Sequence, residues 1–286
     1  MVQGSCRITD LVKDIFSILE NGSEVTDAEA TEFGSELAAI IQDRLAENLN
    51  GPRPFTLRMS NIGKGARQLW YAKHFEPEEK LSGKTLLKFL LGDIAESVLL
   101  FLAKLSGHSV THRQAEVVVE GIKGHIDADI DGVTVDVKTA SPYGFKKFER
   151  GTLAEDDAFG YIEQIAGYSK ARETAGAFLA IEKVSGDLAY LEYPQEELAV
   201  FKIVERIQYL KEAVEQEEPP ERCYPDEPMG ASGNRKLGTN CSYCDFKKRC
   251  WADSNGGIGL RTFIYSTGPV FLTEVKSEPK VYEKSF

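Results

Sequence analysis

The chain contains no apolar run long enough to cross a membrane as a helix, which sets aside a helical integral membrane protein. Its start, MVQGSCRITDLVKDIF, lacks the basic-then-apolar order of a secretory leader, so a cytoplasmic setting is expected. Positive charge is also short. With 34 Lys and Arg against 45 Asp and Glu, the net charge is −11 at pH 7. That balance excludes a broadly basic coat for nucleic acid, though not a focused basic groove. No G-x-x-x-x-G-K-[ST] loop occurs, which excludes a P-loop motor. Internal repeats and low-complexity tracts are missing too. Cysteine is sparse at five, and in a cytoplasmic protein these are thiols or metal ligands before they are disulfides.

What is present is a soluble composition, 42% hydrophobic and 28% charged, in 286 residues. That length suits one large domain with appendages. Helical periodicity covers 9–20 and 26–48, the second opened by a capping box of Thr26 and Glu29. A Pro/Gly break at 50–54 closes this helical extension, 1–55. A core of 56–216 follows, and then a segment of 217–286 that holds most of the cysteines and a β-rich tail. Within the core, 84–105 is apolar on almost every side and reads as a buried helix. Residues 116–122 read as a strand, 157–173 as a helix, 175–194 as two strands joined at Ser185-Gly186, and 196–216 as an amphipathic helix. This order predicts an α/β (α+β) fold, a mixed central sheet flanked by helices.

The densest chemistry lies in GHIDADIDGVTVDVKTAS, 124–141. Asp131-Gly132 is a two-residue hairpin turn, because a type I′ turn needs positive φ at both central positions. Folding there sets Ile130 against Val133, Ala128 against Val135 and Ile126 against Val137 on one face. The other face pairs Asp129 with Thr134, Asp127 with Asp136 and His125 with Lys138. Asp129 and Asp131 read as solvated. Two aspartates directly opposite repel each other, which is a cost unless a divalent cation lies between them. Glu96 sits in the apolar helix and needs a cationic or metal partner. The plainer reading is a polar stripe with Asp93, Ser97 and Lys88. Carboxylates holding Mg²⁺ or Mn²⁺ suit phosphodiester hydrolysis, and Lys138, two residues after Asp136, shares its strand face and can meet developing negative charge.

Cys241, Cys244 and Cys250 follow C-x₂-C-x₅-C spacing, which points to a soft-metal site. A fourth ligand comes from Cys223 or from Cys6, and the metal is zinc or an iron–sulfur cluster. Basic clusters at Lys64 and Arg67, at Lys146 and Lys147, and at Lys247, Lys248 and Arg249 are candidate phosphate contacts.

Asp127 in GHID followed by VDVKTAS resembles the PD-(D/E)XK nuclease superfamily, and YIEQIAGY, 161–168, is similar to the Q-x-x-x-Y helix of its RecB branch. The likeness runs from about Ser60 to Trp251. It implies a restriction-endonuclease-like core and a metal-dependent site of Glu96, Asp127, Asp136 and Lys138, with Gln164 and Tyr168 beside it. Many relatives carry histidine where this chain has Glu96. In AddB-type and CRISPR-associated members a C-terminal cysteine triplet joins an upstream cysteine around a 4Fe–4S cluster. The upstream cysteine falls in a segment resembling MSNIGKGARQLWY, where this chain has Gly65 or Ala66. The resemblance implies a DNA exonuclease of the kind found in bacteriophages and CRISPR systems, serving replication, recombination or repair. Alternatives are a structure-specific endonuclease and a non-catalytic DNA-binding module. DNA is the expected partner, and self-association into a dimer or toroid is one route to processivity.

Overall fold

The computed structural model describes residues 7–47, 54–77 and 81–284; Cys6 lies outside them. The chain divides into two compact units, Met1–Gly63 with Leu81–Gln208, and Lys64–Lys80 with Tyr209–Phe286. Among the described residues, no helix is long and apolar enough to cross a membrane.

The first unit is built on strands β1 (Val110–Thr111), β2 (Glu116–Val119), β3 (Ile122–His125), β4 (Ala128–Ile130), β5 (Val133–Ala140), β6 (Gly176–Glu182) and β7 (Leu188–Tyr193). Five of them form a sheet in the order β1-β4-β5-β6-β7. Only β5 and β6 run parallel, so the sheet is mixed. Val135 and Val137 of β5 pack with Ala177 and Leu179 of β6 against Leu99, Leu100 and Ala103 of the helix Gly83–Leu105 and Leu11 and Ile15 of the helix Leu11–Asn21. On the opposite side Phe178 meets Phe148 of the helix Pro142–Glu149 edge to face, with ring centres 5.6 Å apart. Each fully buried aliphatic or aromatic side chain of this kind contributes about 1.5–3 kcal/mol. The expected α/β layering, a mixed sheet flanked by helices, is the one observed.

The hairpin forms at Asp131-Gly132, whose φ values are +49° and +86°. Its register is the expected one, Ala128 to Val135, Asp129 to Thr134 and Ile130 to Val133. The ladder stops there, short of the longer pairing read from sequence. Glu120 and Gly121, with φ of +49° and +74°, make an earlier turn inside the segment read as one strand. Strand β3 is thereby committed to β2, and His125 faces Glu116 instead of Lys138. Asp127 occupies the bend between β3 and β4.

Neither Asp129 nor Asp131 is a free solvated carboxylate. Asp129 is 3% exposed, accepts from Thr134 Oγ1 at 2.8 Å and pairs with Arg172 at 2.5 Å. Asp131 accepts from the Ser109 N–H at 2.9 Å and lies 2.7 Å from His108 Nδ1. The apolar helix is also less buried than its composition suggests. Leu87, Phe89 and Leu91 are exposed, whereas Leu99, Leu100 and Ala103 are covered. The segment read as one helix over 196–216 is two, Gln195–Ala199 and Ile203–Glu215, and Lys202 at φ +47° marks the break.

The second unit contains strands β8 (Glu227–Pro228), β9 (Arg235–Lys236), β10 (Arg261–Tyr265), β11 (Gly268–Glu274) and β12 (Glu283–Lys284) in the order β12-β10-β11-β9-β8. Beside it, Trp70 and Tyr71 of the helix Ala66–His74 pack with Phe246 against Cys244 and Cys250.

Candidate active site and cysteine cluster

In the first unit three elements bring carboxylates together. Asp136 comes from the middle of β5, where both faces of the strand are buried, and is 1% exposed. Asp127 is held by its bend, its Oδ2 accepting from the Val137 N–H at 2.6 Å. Glu96 reaches in from the helix Gly83–Leu105. The polar stripe that offered a plainer account of Glu96 is split between other partners: Asp93 pairs with Arg44, and Ser97 donates to Glu36. Gln114 Nε2 donates to Glu96 Oε1 at 2.8 Å.

The remaining members come from β5 and from the helix Tyr161–Arg172. Asp157 starts that helix by accepting from the N–H groups of Gly160 and Ile162 at 2.9 and 2.7 Å. Gln164 and Tyr168, one turn apart, face the strand. Gln164 Nε2 donates to Asp136 Oδ1 at 3.3 Å and to Tyr168 Oη at 3.1 Å. Lys138 forms an ion pair with Asp136 Oδ2, and its ammonium stands 4.8 Å from the centre of the Tyr161 ring. All six residues singled out by sequence line one cleft of about 630 Å³, with Arg58, Lys88, Phe89 and Lys123 along it. Tyr161 was legible, since it lies three and seven residues before Gln164 and Tyr168 on the same helical face. Gln114 carries no sequence signal.

Burial and mutual repulsion set the charge state of this group. Desolvation first, and then the charge of Asp136, push Glu96 up to about 7. Asp127 is raised well above the ordinary aspartate value by burial, by Asp136 and by Glu96. Burial works against the Lys138 charge, but Asp136 and Asp127 outweigh it and hold the ammonium firmly protonated. A set of hard oxygen donors that repel one another in one cleft has the chemistry of a divalent-cation site. Asp136 Oδ2 is buried in the cleft against the Lys138 ammonium, so within the protein its charge is met by that cation. Among the described residues, no three His, Cys, Asp or Glu side chains are drawn together tightly enough to hold an ion as they stand. Each carboxylate of the cleft rests on a protein donor, Val137, Gln114 or Lys138.

In the second unit Cys223, Cys241, Cys244 and Cys250 surround one small cavity with Arg67, Arg222 and Trp251. Burial, and then the neighbouring Cys250 and Cys223, raise Cys241 to about 11; burial, with Cys250 and Cys241 adding to it, raises Cys244 to about 12. A Cβ built on Gly65 would fall on the Sγ of Cys223. The thiol of Cys223 thus occupies the side-chain space of position 65. Four thiols lining one cavity match a tetrahedral zinc or a cubane in ligand type and number, but as they stand they are not drawn close enough to hold either.

The basic residues proposed from sequence are dispersed. In the first unit Lys146 is exposed, and Lys147 is bound to Asp156 O and Oδ2 at 2.7 and 2.6 Å. In the second unit Lys64 is exposed. Arg67 donates to Pro220 O at 2.6 Å and lies beside Cys250. Lys247 donates to Cys244 O at 3.1 Å, Lys248 is half-buried, and Arg249 stands 3.9 Å from the centre of the Phe75 ring.

No protein-family model and no curated protein matches the chain. Solved structures similar to it include one described as SSO0001, with TM-score 0.43 and 18% identity over 73% of this chain and 93% of that one. Another is LHK-Exo in complex with dAMP, with TM-score 0.32 and 12% identity over 55% and 92%. A third is a phage-related exonuclease from Haemophilus somnus 129PT, with TM-score 0.32 and 14% identity over 72% and 91%.

Proposed function

We propose that the protein is a metal-dependent deoxyribonuclease that hydrolyses phosphodiester bonds from DNA ends, in replication, recombination or repair. One observation carries this reading: Glu96, Asp127 and Asp136 converge from a helix, a bend and a strand on one cleft, with the Lys138 ammonium inside it. A Mg²⁺ or Mn²⁺ ion held by these carboxylates would supply a Lewis acid for the phosphoryl group and an activated water. Lys138, held over Tyr161 and against Asp136, orients a water and meets negative charge developing on the phosphate. Gln164 fixes the rotamer of Asp136 and the position of Tyr168 Oη. Arg58, Lys88 and Lys123 supply positive charge along the cleft within a chain of net charge −11. The test is digestion of end-labelled linear DNA in Mg²⁺ or Mn²⁺, with EDTA as control and circular single-stranded DNA in parallel. Loss of the linear substrate alone is expected. Cleavage of the circle assigns an endonuclease instead, and binding without cleavage assigns a non-catalytic module.

The four cysteines are read as a structural 4Fe–4S site with Cys223 as fourth ligand. It would tie the loop that carries Cys223 to the segment that carries Cys241, Cys244 and Cys250. Zinc in the anaerobically purified protein, in place of iron and visible absorbance, would change the metal but not the ligands.

The charge state of the cleft has a measurable consequence. A carboxyl whose pKa rises on folding binds more protons in the native than in the unfolded state between the two values. Its contribution to stability is therefore present below about pH 4.5 and lost as pH climbs through about 7 for Glu96. Asp127 acts in the same direction. In EDTA the melting temperature is expected to fall by several degrees from pH 5 to pH 8, and Glu96→Gln should flatten that slope. An equal slope in the variant would show that Glu96 is not the group responsible.

A further inference from the structure

We infer that Gln114 is a positioning residue of the cleft, joining the helix carboxylate Glu96 to the backbone of the bend that carries Asp127. The inference rests on the reading of those two side chains as cation ligands. Gln114 makes both links itself. Its side-chain Nε2 donates to Glu96 Oε1 at 2.8 Å, and its backbone N–H donates to the Asp127 carbonyl at 3.2 Å.

The backbone at this point is unusual. Gln114 has φ +52° and His112, two residues before it, also has φ +52°. The left-handed region is uncommon for residues other than glycine, asparagine and aspartate, and it persists where surrounding structure over-determines it. Here the determinants are explicit. Ala115 N–H donates to His112 O at 3.1 Å, closing the loop on itself, and Ile126 N–H donates to Ala115 O at 3.1 Å, fastening it to the chain entering the Asp127 bend. The loop between β1 and β2 is thus locked against the bend, and glutamine is the residue whose amide spans from there to Glu96. Nothing in packing requires glutamine at this place, because its side chain is exposed. A glycine or an asparagine would suit the φ better. The chain keeps a residue less suited to its backbone and uses the length of its amide. Groups that orient metal-binding side chains in this way typically alter metal affinity 10- to 100-fold when removed.

Two substitutions separate reach from backbone. Gln114→Asn keeps an amide and tolerates the left-handed conformation, but it is one methylene too short to reach Glu96. Gln114→Gly relieves the backbone and deletes the amide. Both are to be compared with wild type by melting in EDTA, by calorimetric titration with Mn²⁺ and by DNA cleavage across a Mn²⁺ series. The expected result is a melting temperature equal to or above wild type in both variants, with Mn²⁺ bound about 10-fold more weakly. Cleavage should be depressed at low Mn²⁺ and recover toward wild type as Mn²⁺ is raised. Unchanged Mn²⁺ affinity in both variants overturns the inference, as does a melting temperature several degrees below wild type, which would make Gln114 merely structural. Those outcomes leave the nuclease reading intact so long as wild type binds Mn²⁺ and cuts DNA. A wild-type protein that does neither removes that reading, and the role of Gln114 with it.

Discussion

Asp136→Asn is expected to lower DNA cleavage in Mn²⁺ by at least about 10³-fold, a loss of about 4 kcal/mol of transition-state stabilisation, while the protein stays folded. The size follows from position. Asp136 is the only member of the group that touches both other kinds of functional side chain, through Gln164 on one oxygen and Lys138 on the other. Its charge also raises both Glu96 and Asp127, so it is the centre of the repulsion that a cation would relieve. Asparagine has nearly the same shape and can keep the Gln164 contact, but it offers one oxygen and no charge. Breaking a buried ion pair is costly when the partner is left bare, about 3–5 kcal/mol. Lys138 is not left bare, because Asp127 also favours its charge. The far-UV spectrum should therefore be unchanged. Lys138→Ala is expected to abolish cleavage as well, yet to leave the oxygen ligands and hence Mn²⁺ uptake in place. Cleavage at the normal rate by either variant would take the assigned site away.

Much of this site was legible because the turn fixes the register. Asp131-Gly132 leaves the hairpin one way to pair, and that pairing places Val133, Val135 and Val137 on the core side and Asp136 and Lys138 on the other. The rest depended on competition that periodicity does not show. The turn at Glu120-Gly121 pairs β3 with β2, and Gly124 lets that strand run close to the turn Met59–Asn61, since a Cβ there would strike Met59 and the Tyr168 ring. Asp127 nevertheless reaches the cleft, because its carboxylate is caught by the Val137 N–H. Glu96 was identifiable as a carboxylate out of place in an apolar helix, whereas its partner Gln114 lies 18 residues away in a loop with no periodic pattern. For the same helix, apolarity all round predicts burial along its whole length, and the fold covers Leu99, Leu100 and Ala103 but not Leu87, Phe89 and Leu91. Composition says that a surface is apolar; only the fold says what covers it.

Cys223→Ser is expected to remove most of the metal from the cysteine site and to lower the melting temperature by about 10 °C or more, because metal binding at a closed cysteine site is folding energy. The same loss is expected from Gly65→Ala, a substitution that touches no sulfur ligand. Gly65 has φ −62° and ψ 140°, a conformation open to any residue, so its backbone does not explain the glycine. Space does: the missing Cβ is where Cys223 Sγ lies, and a methyl group there would drive the thiol out of the cavity. The resemblance stated from sequence puts the upstream cysteine of such nucleases at Gly65 or Ala66, so the clash is tested as an exchange. A double variant, Gly65→Cys with Cys223→Gly, should recover at least half of the metal and most of the melting temperature, since it delivers a thiol to the same cavity from the opposite segment. Iron and zinc content by elemental analysis, with visible absorbance, reads all four proteins. Full metal in Cys223→Ser would transfer the fourth ligand elsewhere. Full metal in Gly65→Ala would mean that the contact between Gly65 and Cys223 does not set the position of the thiol.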